Sequence, residues 1–293
     1  MSHSLTLEPA VLGSLDELVF LAKGVVEGVL SGLHRSPFLG YSSEFSSFRQ
    51  YIQGDNLRYV DWKVWGRTDK LYVKQFEDDT NLTCQILLDA SASMDFGRHN
   101  KFHYARKLAI ALAYLMSRQH DAVGLALIGD STKTALPPMS GARHLENIFV
   151  TLAQARASGG SASDHDLSNV VETFYRRGVT VIISDLMTPG DATVNLLRQL
   201  RGRNQEVVVL HVMCAEELNF NYEGEILFED SEGSAEIPIH AASFRAEYLN
   251  RVAEFRHRLG RECEKYEADY QLIRTDHLLT ETLTAYLARR MTV

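Results

Sequence analysis

Ile86-Leu87-Leu88-Asp89-Ala90-Ser91-Ala92-Ser93-Met94 decides the reading of this chain. An apolar run ends in an acid, and hydroxyls follow at the second and fourth positions after it. The run reads as a buried strand, and Asp-x-Ser-x-Ser as the turn leaving its carboxyl end, where open α/β sheets place ligands. One acid and two hydroxyls on a tight turn aim several oxygens at one point, as a hard divalent cation such as Mg2+ requires. The plainer alternative is that Ser91 and Ser93 cap the next helix and that Asp89 is an ordinary strand-end acid.

Outward from this turn, apolar runs alternate with helical patterns. Strands are expected at about Thr83 to Leu88, Asp121 to Ile128, Val179 to Ser184, Glu206 to Val212 and Tyr270 to Arg274. Leu136-Pro137-Pro138 reads as the end of a short strand or loop. Helices are expected at about 101–118, 143–157, 164–176, 192–201, 243–267 and 280–290. The helix over 101–118 carries a stripe of Tyr104, Leu108, Ala111, Leu112 and Leu115 at helical spacing. Strands that are apolar throughout and alternate with helices indicate a mostly parallel, doubly wound sheet covered on both faces. Ile226–Phe228 and Glu236–Ile239 flank Ser231-Glu232-Gly233-Ser234 and suggest an inserted β-hairpin, with Pro238 suited to an edge strand.

The N-terminal part differs. An amphipathic helix is expected over about 14–30, and Leu71–Phe76 alternates as a strand does. Between them, residues 36–70 are dense in aromatics and arginines, without a clean period. They include both tryptophans of the protein. One reading is a cap packed on the main domain. The other is a recognition surface, since Trp, Tyr and Arg are favoured at interface hot spots; Arg49, Arg58, Trp62, Trp65 and Arg67 would then contact a partner. The expected organisation is residues 1–79 as a helix and aromatic–arginine segment packed on an α/β domain at 80–293.

With 293 residues, 45% hydrophobic and 23% charged, the chain can bury a sizeable core, and its composition is that of an ordinary globular protein, which argues against wholesale disorder. A net charge of −8 argues against generic nucleic-acid or anionic-membrane binding. The three cysteines, Cys84, Cys214 and Cys263, lie far apart, with no Cys-x-x-Cys. They read as core thiols rather than a zinc knuckle or disulfide framework. No signal-like leader and no membrane-length apolar run is found, so a cytoplasmic protein without membrane insertion is expected.

Two more pieces complete the opening turn. Ser158-Gly159-Gly160-Ser161 places a hydroxyl on a glycine-rich loop, and Ser184-Asp185 places an acid at the end of a buried strand. In a doubly wound sheet both converge beside the first strand. The expected cation ligands are Asp89, Ser91, Ser93, Ser161 (or Ser163) and, through water, Asp185. Mg2+ takes six oxygens and keeps waters, so such a set leaves a position for a partner's carboxylate. Catalytic motifs are missing: there is no Gly-x-Ser-x-Gly, no phosphate-binding Gly-x-x-x-x-Gly-Lys and no Gly-x-Gly-x-x-Gly. Asp164-His165-Asp166 near Ser161 offers hydrolytic parts or metal ligands, but three polar residues at a helix start are more often caps and dipole partners.

In these three pieces the chain resembles the von Willebrand factor A fold with its metal-ion-dependent adhesion site. The stretch from Ser36 to Met94 resembles the bacterial DUF58 family more specifically. The resemblance rests on Gly40, Glu44-Phe45, Arg49-Gln50-Tyr51, Gly54-Asp55, Arg58, Asp61-Trp62-Lys63, Arg67-Thr68, Leu71 and the Asp89 turn. Asp121–Leu125, Ser184-Asp185-Leu186 and Tyr286-Leu287 with Arg289 extend it. The resemblance implies a non-catalytic adaptor with Mg2+ (or Mn2+ or Ca2+) at the adhesion site. It would work with a MoxR-type AAA+ ATPase in chaperone-like assembly or maturation of client proteins. The adhesion site usually has Thr where this chain offers Ser161, which keeps the oxygen on a looser rotamer. The competing expectation is a metal-dependent, phosphatase-like hydrolase using the same oxygens.

Overall fold

The computed structural model describes residues 19–20, 23–28, 47–50, 72–75, 82–130, 134–173, 177–188, 190–229 and 236–290. The chain divides into two compact units, Met1–Ser36 with Leu82–Val293, and Pro37–Asn81. The larger unit takes in residues 1–36, which the expected organisation set, with the aromatic–arginine segment, as packed on the α/β domain. The physical reason is visible in the helical residues 23–28, where Val25 and Val26 are buried in the core of the larger unit. In the smaller unit, β1 (Ser47–Gln50) pairs antiparallel with β2 (Tyr72–Gln75). The strand expected at 71–76 is therefore present, and its partner lies in a stretch without sequence periodicity. The cap-or-surface question for the rest of 36–70 lies outside the described residues.

The larger unit is built on a six-stranded sheet. Its strands are β3 (Thr83–Asp89), β4 (Ala122–Ile128), β5 (Thr134–Met139), β6 (Val179–Ser184), β7 (Glu206–Met213) and β10 (Asp269–Arg274), in the order β10-β7-β6-β3-β4-β5. All neighbours are parallel except β5, which runs antiparallel to β4 at one edge. Between strands lie α1 (Lys101–Arg118), α2 (Ala142–Gln154), α3 (Asp164–Glu172), α4 (Ala192–Gly202), the short α5 (Ala215–Asn219) and α6 (Ala241–Lys265). α7 (Leu279–Arg290) closes the unit, and β8 (Glu225–Glu229) with β9 (Glu236–His240) forms the expected hairpin.

Alternation along β3 explains the layers. Side chains of successive strand residues point to opposite faces. Ile86 and Leu88 join one core with Leu108 and Leu112 of α1, Ile148 and Leu152 of α2, and Tyr286 of α7. Leu87 joins the other core with Val170 of α3, Leu196 and Leu200 of α4, and Cys263 of α6. A strand covered on both sides favours apolar residues on both faces, which is why Ile86-Leu87-Leu88 in β3 reads as a hydrophobic run, with Gln85 a buried polar exception. The doubly wound expectation is met.

Departures from the expected elements have local causes. β5 is a full edge strand that includes Pro137 and Pro138; an edge tolerates prolines because one side of the ladder needs no donor. α5 is five residues long, too short for a helical period to register. All three cysteines are free and buried, as expected of core thiols. Among the described residues no helix is long and apolar enough to cross a membrane.

Candidate functional site

The site lies at the carboxyl end of β3, in the middle of the sheet. Beyond Asp89 the chain turns through a short 3-10 segment, Ala92–Met94, before Asn100 caps α1 by accepting the His103 N–H at 2.8 Å. The capping role therefore falls to Asn100. Ser91 makes no side-chain cap bond, and the plain capping reading of the two serines does not describe them. Instead Ser91 bonds to Asp89, and Ser93 meets Ser91. Its Oδ1 accepts the Ser91 N–H at 2.9 Å and the Ser91 hydroxyl at 2.7 Å. The Ser91 and Ser93 hydroxyls lie 3.0 Å apart. Asp89 Oδ2 accepts the Ser184 hydroxyl of β6 at 2.6 Å.

The two other expected loops close on this turn. Backbone bonds latch the glycine-rich loop to it: Ala92 N–H donates to Gly159 C=O at 2.9 Å, and Ser158 N–H to Ala90 C=O at 2.9 Å. Gly159 has φ +75°, and a Cβ there would stand 2.6 Å from an Asp130 carboxylate oxygen, so both conformation and space require glycine. Ser161, half-buried, donates its hydroxyl to Met187 C=O at 3.0 Å, which sets it against the turn that follows Asp185. Ser163, the alternative hydroxyl, is the N-cap of α3 and forms a capping box with Asp166. Asp164 accepts from the Asn195 amide at 2.7 Å. The Asp164-His165-Asp166 start thus serves its helix and its neighbour.

Asp185 sits at the end of β6, 2% exposed, and Leu186 after it is buried in the left-handed region at φ 58°. For a non-glycine residue that conformation costs roughly 1 kcal/mol. It is held by the Leu186 N–H donating to Ser184 Oγ at 2.8 Å and the Met187 N–H donating to Asp185 Oδ1 at 3.1 Å. The other oxygen, Oδ2, accepts from the ammonium of Lys101 at 2.7 Å, and the same ammonium donates to Glu217 Oε1 of α5 at 2.6 Å. Lys101 is 1% exposed. Glu217 is fixed in turn by accepting the Cys214 N–H at 2.9 Å.

Sequence reading missed Lys101 and Glu217, and it quoted Ser184 without giving it a role. Lys101 opens α1, where a lysine ordinarily points to water and opposes the helix dipole. Its burial follows only from the positions of β6 and α5. Beside Asp185 a cavity of about 340 Å³ is walled by Met187, Met213, Phe244, Tyr248 and Phe255.

The electrostatics separate the two acids. Burial, and secondly the charge of Asp185, push the Asp89 carboxyl up from 3.8 to about 6, while the bonds from Ser184 and Ser91 pull against the rise. For Lys101, burial opposes the charge, but Asp185 and then Glu217 outweigh it and the group is held above its ordinary value. Among the described residues no cation pairs with Asp89, and no cluster of three or more His, Cys, Asp or Glu is placed to hold a metal. The donors at hand are instead one carboxylate and hydroxyls. This all-oxygen set fits a hard cation and not a zinc-type ion. Asp89, Ser91 and Ser93 could hold it directly. Asp185, engaged by Lys101, could reach it through water, and Ser161 borders the site from the Met187 side. Of the expected partner residues, Arg49 lies on β1 opposite Val73; Arg58, Trp62, Trp65 and Arg67 lie outside the described residues.

A mostly parallel sheet with one antiparallel edge, carrying an acid–hydroxyl turn at the carboxyl end of a central strand, defines a von Willebrand A-like α/β protein. The chain belongs to the family described as "Protein of unknown function DUF58", whose model matches residues 47–258. It is 28% identical to "Uncharacterized protein Rv1480" of Mycobacterium tuberculosis over 97% of this chain and 90% of that one. It is 27% identical to "Uncharacterized protein YeaD" of Bacillus subtilis over 39% of this chain and 27% of that one. Among solved structures it is similar to BatB from Bacteroides thetaiotaomicron, at TM-score 0.48 and 16% identity, over 72% of this chain and 100% of that one. It is also similar to the SpRpn10 VWA domain, at TM-score 0.41 and 13% identity, over 69% and 94% respectively.

Proposed function

We propose that this chain is a binding protein, an adaptor that presents a divalent cation at Asp89, Ser91 and Ser93 to an acidic group on a partner. The observation that carries the reading is the state of Asp89: buried at the mouth of the sheet, met only by hydroxyls and a backbone amide, and paired with no cation among the described residues. Such an acid gains from a cation that brings its own remaining coordination sites. Mg2+ suits the set best, with Mn2+ or Ca2+ as chemical neighbours. Its open position then selects a carboxylate.

Membership of the DUF58 family supports a MoxR-type AAA+ ATPase as the partner and client proteins as its substrates. Affinity capture with the full chain tests this. The ATPase is expected to be retained in Mg2+, released by chelator, and not retained by Asp89→Ala. Retention insensitive to both would overturn the proposal. Metal-dependent turnover of a phosphoester that is lost in Asp89→Ala would overturn it in favour of a hydrolase.

A further inference from the structure

Lys101 is a buried ammonium at the first position of α1, where the helix dipole disfavours a cation. It reaches across to the ends of two other elements, and both its carboxylate partners are buried or nearly so: 2% exposed for Asp185 and 13% for Glu217. Both oxygens of Asp185 are engaged, Oδ1 by the Met187 N–H and Oδ2 by Lys101. The ring of Phe96 lies 5.8 Å from the ammonium on a further side. Meanwhile β3 and β6 run in register through Leu88 and Ile183. Asp89 and the Ser184-Asp185 step therefore emerge side by side, and Ser184 bonds directly to Asp89. The Asp89 turn and the Lys101 ion pair are adjoining parts of one strand-end site.

We infer that Lys101 sets how strongly this site takes a divalent cation: its ammonium is a resident positive charge on Asp185, so an ion at Asp89 meets one direct carboxylate and a neighbouring like charge. The inference rests on reading the Asp89 turn as a cation position. Three carboxylates, of Asp89, Asp185 and Glu217, share this region with one lysine. An ammonium cannot leave as a metal can, so it dilutes the field that a second cation would feel. Removing it leaves Asp185 free to approach the ion and lifts the repulsion. At the effective dielectric of a protein interior, a unit charge beside a dication changes its binding by at least about tenfold. The consequence for binding is a weak, exchangeable ion whose open side is completed by the partner's acid.

The test is Mn2+ binding by the full chain, read from the loss of the free-ion paramagnetic resonance signal. Lys101→Met is expected to bind at least about tenfold more tightly than the unaltered chain, and Lys101→Arg, which keeps the charge, about equally to it. Adding Asp89→Ala to Lys101→Met should abolish the gain. Because Lys101→Met leaves two buried acids uncompensated, Lys101→Met with Glu217→Gln is measured beside it. That pair keeps the local net charge of the unaltered chain, so it should keep a smaller gain, the part that comes from Asp185 released to approach the ion. Equal affinities of the unaltered chain and both folded Lys101→Met variants would overturn the role of Lys101 and leave the cation reading standing. Absence of binding in every variant would overturn the cation reading itself. Binding by the Met variants alone would support Lys101 as the charge that holds the ion off, and would overturn the reading that the unaltered chain carries the ion.

Discussion

Two neighbouring strand ends each carry a buried aspartate, and the chain treats them in opposite ways. At the end of β6, Asp185 has a lysine at 2.7 Å. At the end of β3, Asp89 has three short bonds, all from neutral donors: two from Ser91 and one from Ser184. Hydroxyls and amides soften the burial of a charge but do not cancel it. The carboxyl of Asp89 accordingly stands at about 6, with burial the first cause and Asp185 the second. The contrast teaches where the chain has supplied a counter-charge and where it has not. It is also why the proposed cation belongs at Asp89, with Asp185 behind it.

The sharpest way to break the contrast is to remove the supplied pair. Asp185→Ala leaves the Lys101 ammonium buried with Glu217 alone. A loss of about 3–5 kcal/mol is expected in urea unfolding, the usual cost of stripping one member of a buried pair. A loss below about 1 kcal/mol would show that the ion pair does not hold the strand end.

Next comes pH dependence in chelator, where the sign follows from the shifts. Asp89 is raised from 3.8 to about 6, so the folded state binds its proton more tightly than the unfolded chain does. The stability it contributes is present below pH 3.8 and is lost as pH rises to about 6. His211 is lowered from 6.5 to about 4, chiefly by burial. Its contribution is present above pH 6.5 and lost as pH falls toward 4. The two slopes oppose one another between pH 4 and 6. Asp89→Asn removes the first and exposes the second. The metal-free variant should exceed the unaltered protein by up to about 3 kcal/mol at pH 8, and the advantage should vanish near pH 4. A constant difference across that range would contradict the account of Asp89.

A smaller effect is expected for Ser184→Ala. It strips a partner from Asp89 Oδ2 and from the Leu186 N–H at once, a cost of about 2 kcal/mol for buried groups left unpaired. It should also push the Asp89 carboxyl higher, since the lost bond is one that lowers it. Smallest is Ser161→Ala, which removes one half-buried bond to Met187 C=O and should cost about 0.5–1 kcal/mol. Thermal unfolding in chelator and in Mg2+ then shows whether Ser161 matters more when the ion is present.

Legibility from sequence divides along the same line. The strand runs, the doubly wound sheet, the hairpin, and the ends at Asp89 and Asp185 all show in the order of residues. Each depends on local periodicity or on a run ended by an acid. The Gly159 loop was also legible, because glycine pairs mark loops. Lys101, Glu217 and the Ser184 bond were not. Each depends on elements far apart in the chain: 84 residues separate Lys101 from Asp185, and 116 separate it from Glu217. A lysine at a helix start carries no mark of burial. The N-terminal helix was legible as amphipathic, but only packing shows that Val25 and Val26 enter the core of Ile86 and Leu88.

The central claim is that the Asp89 turn holds one divalent cation. Titration calorimetry with Mn2+ on the full chain at pH 7.5, beside Asp89→Asn, tests it most directly. The account predicts a binding heat with a stoichiometry near one for the unaltered chain and none for the variant. Equal heats from the two proteins, or none from either, would contradict it.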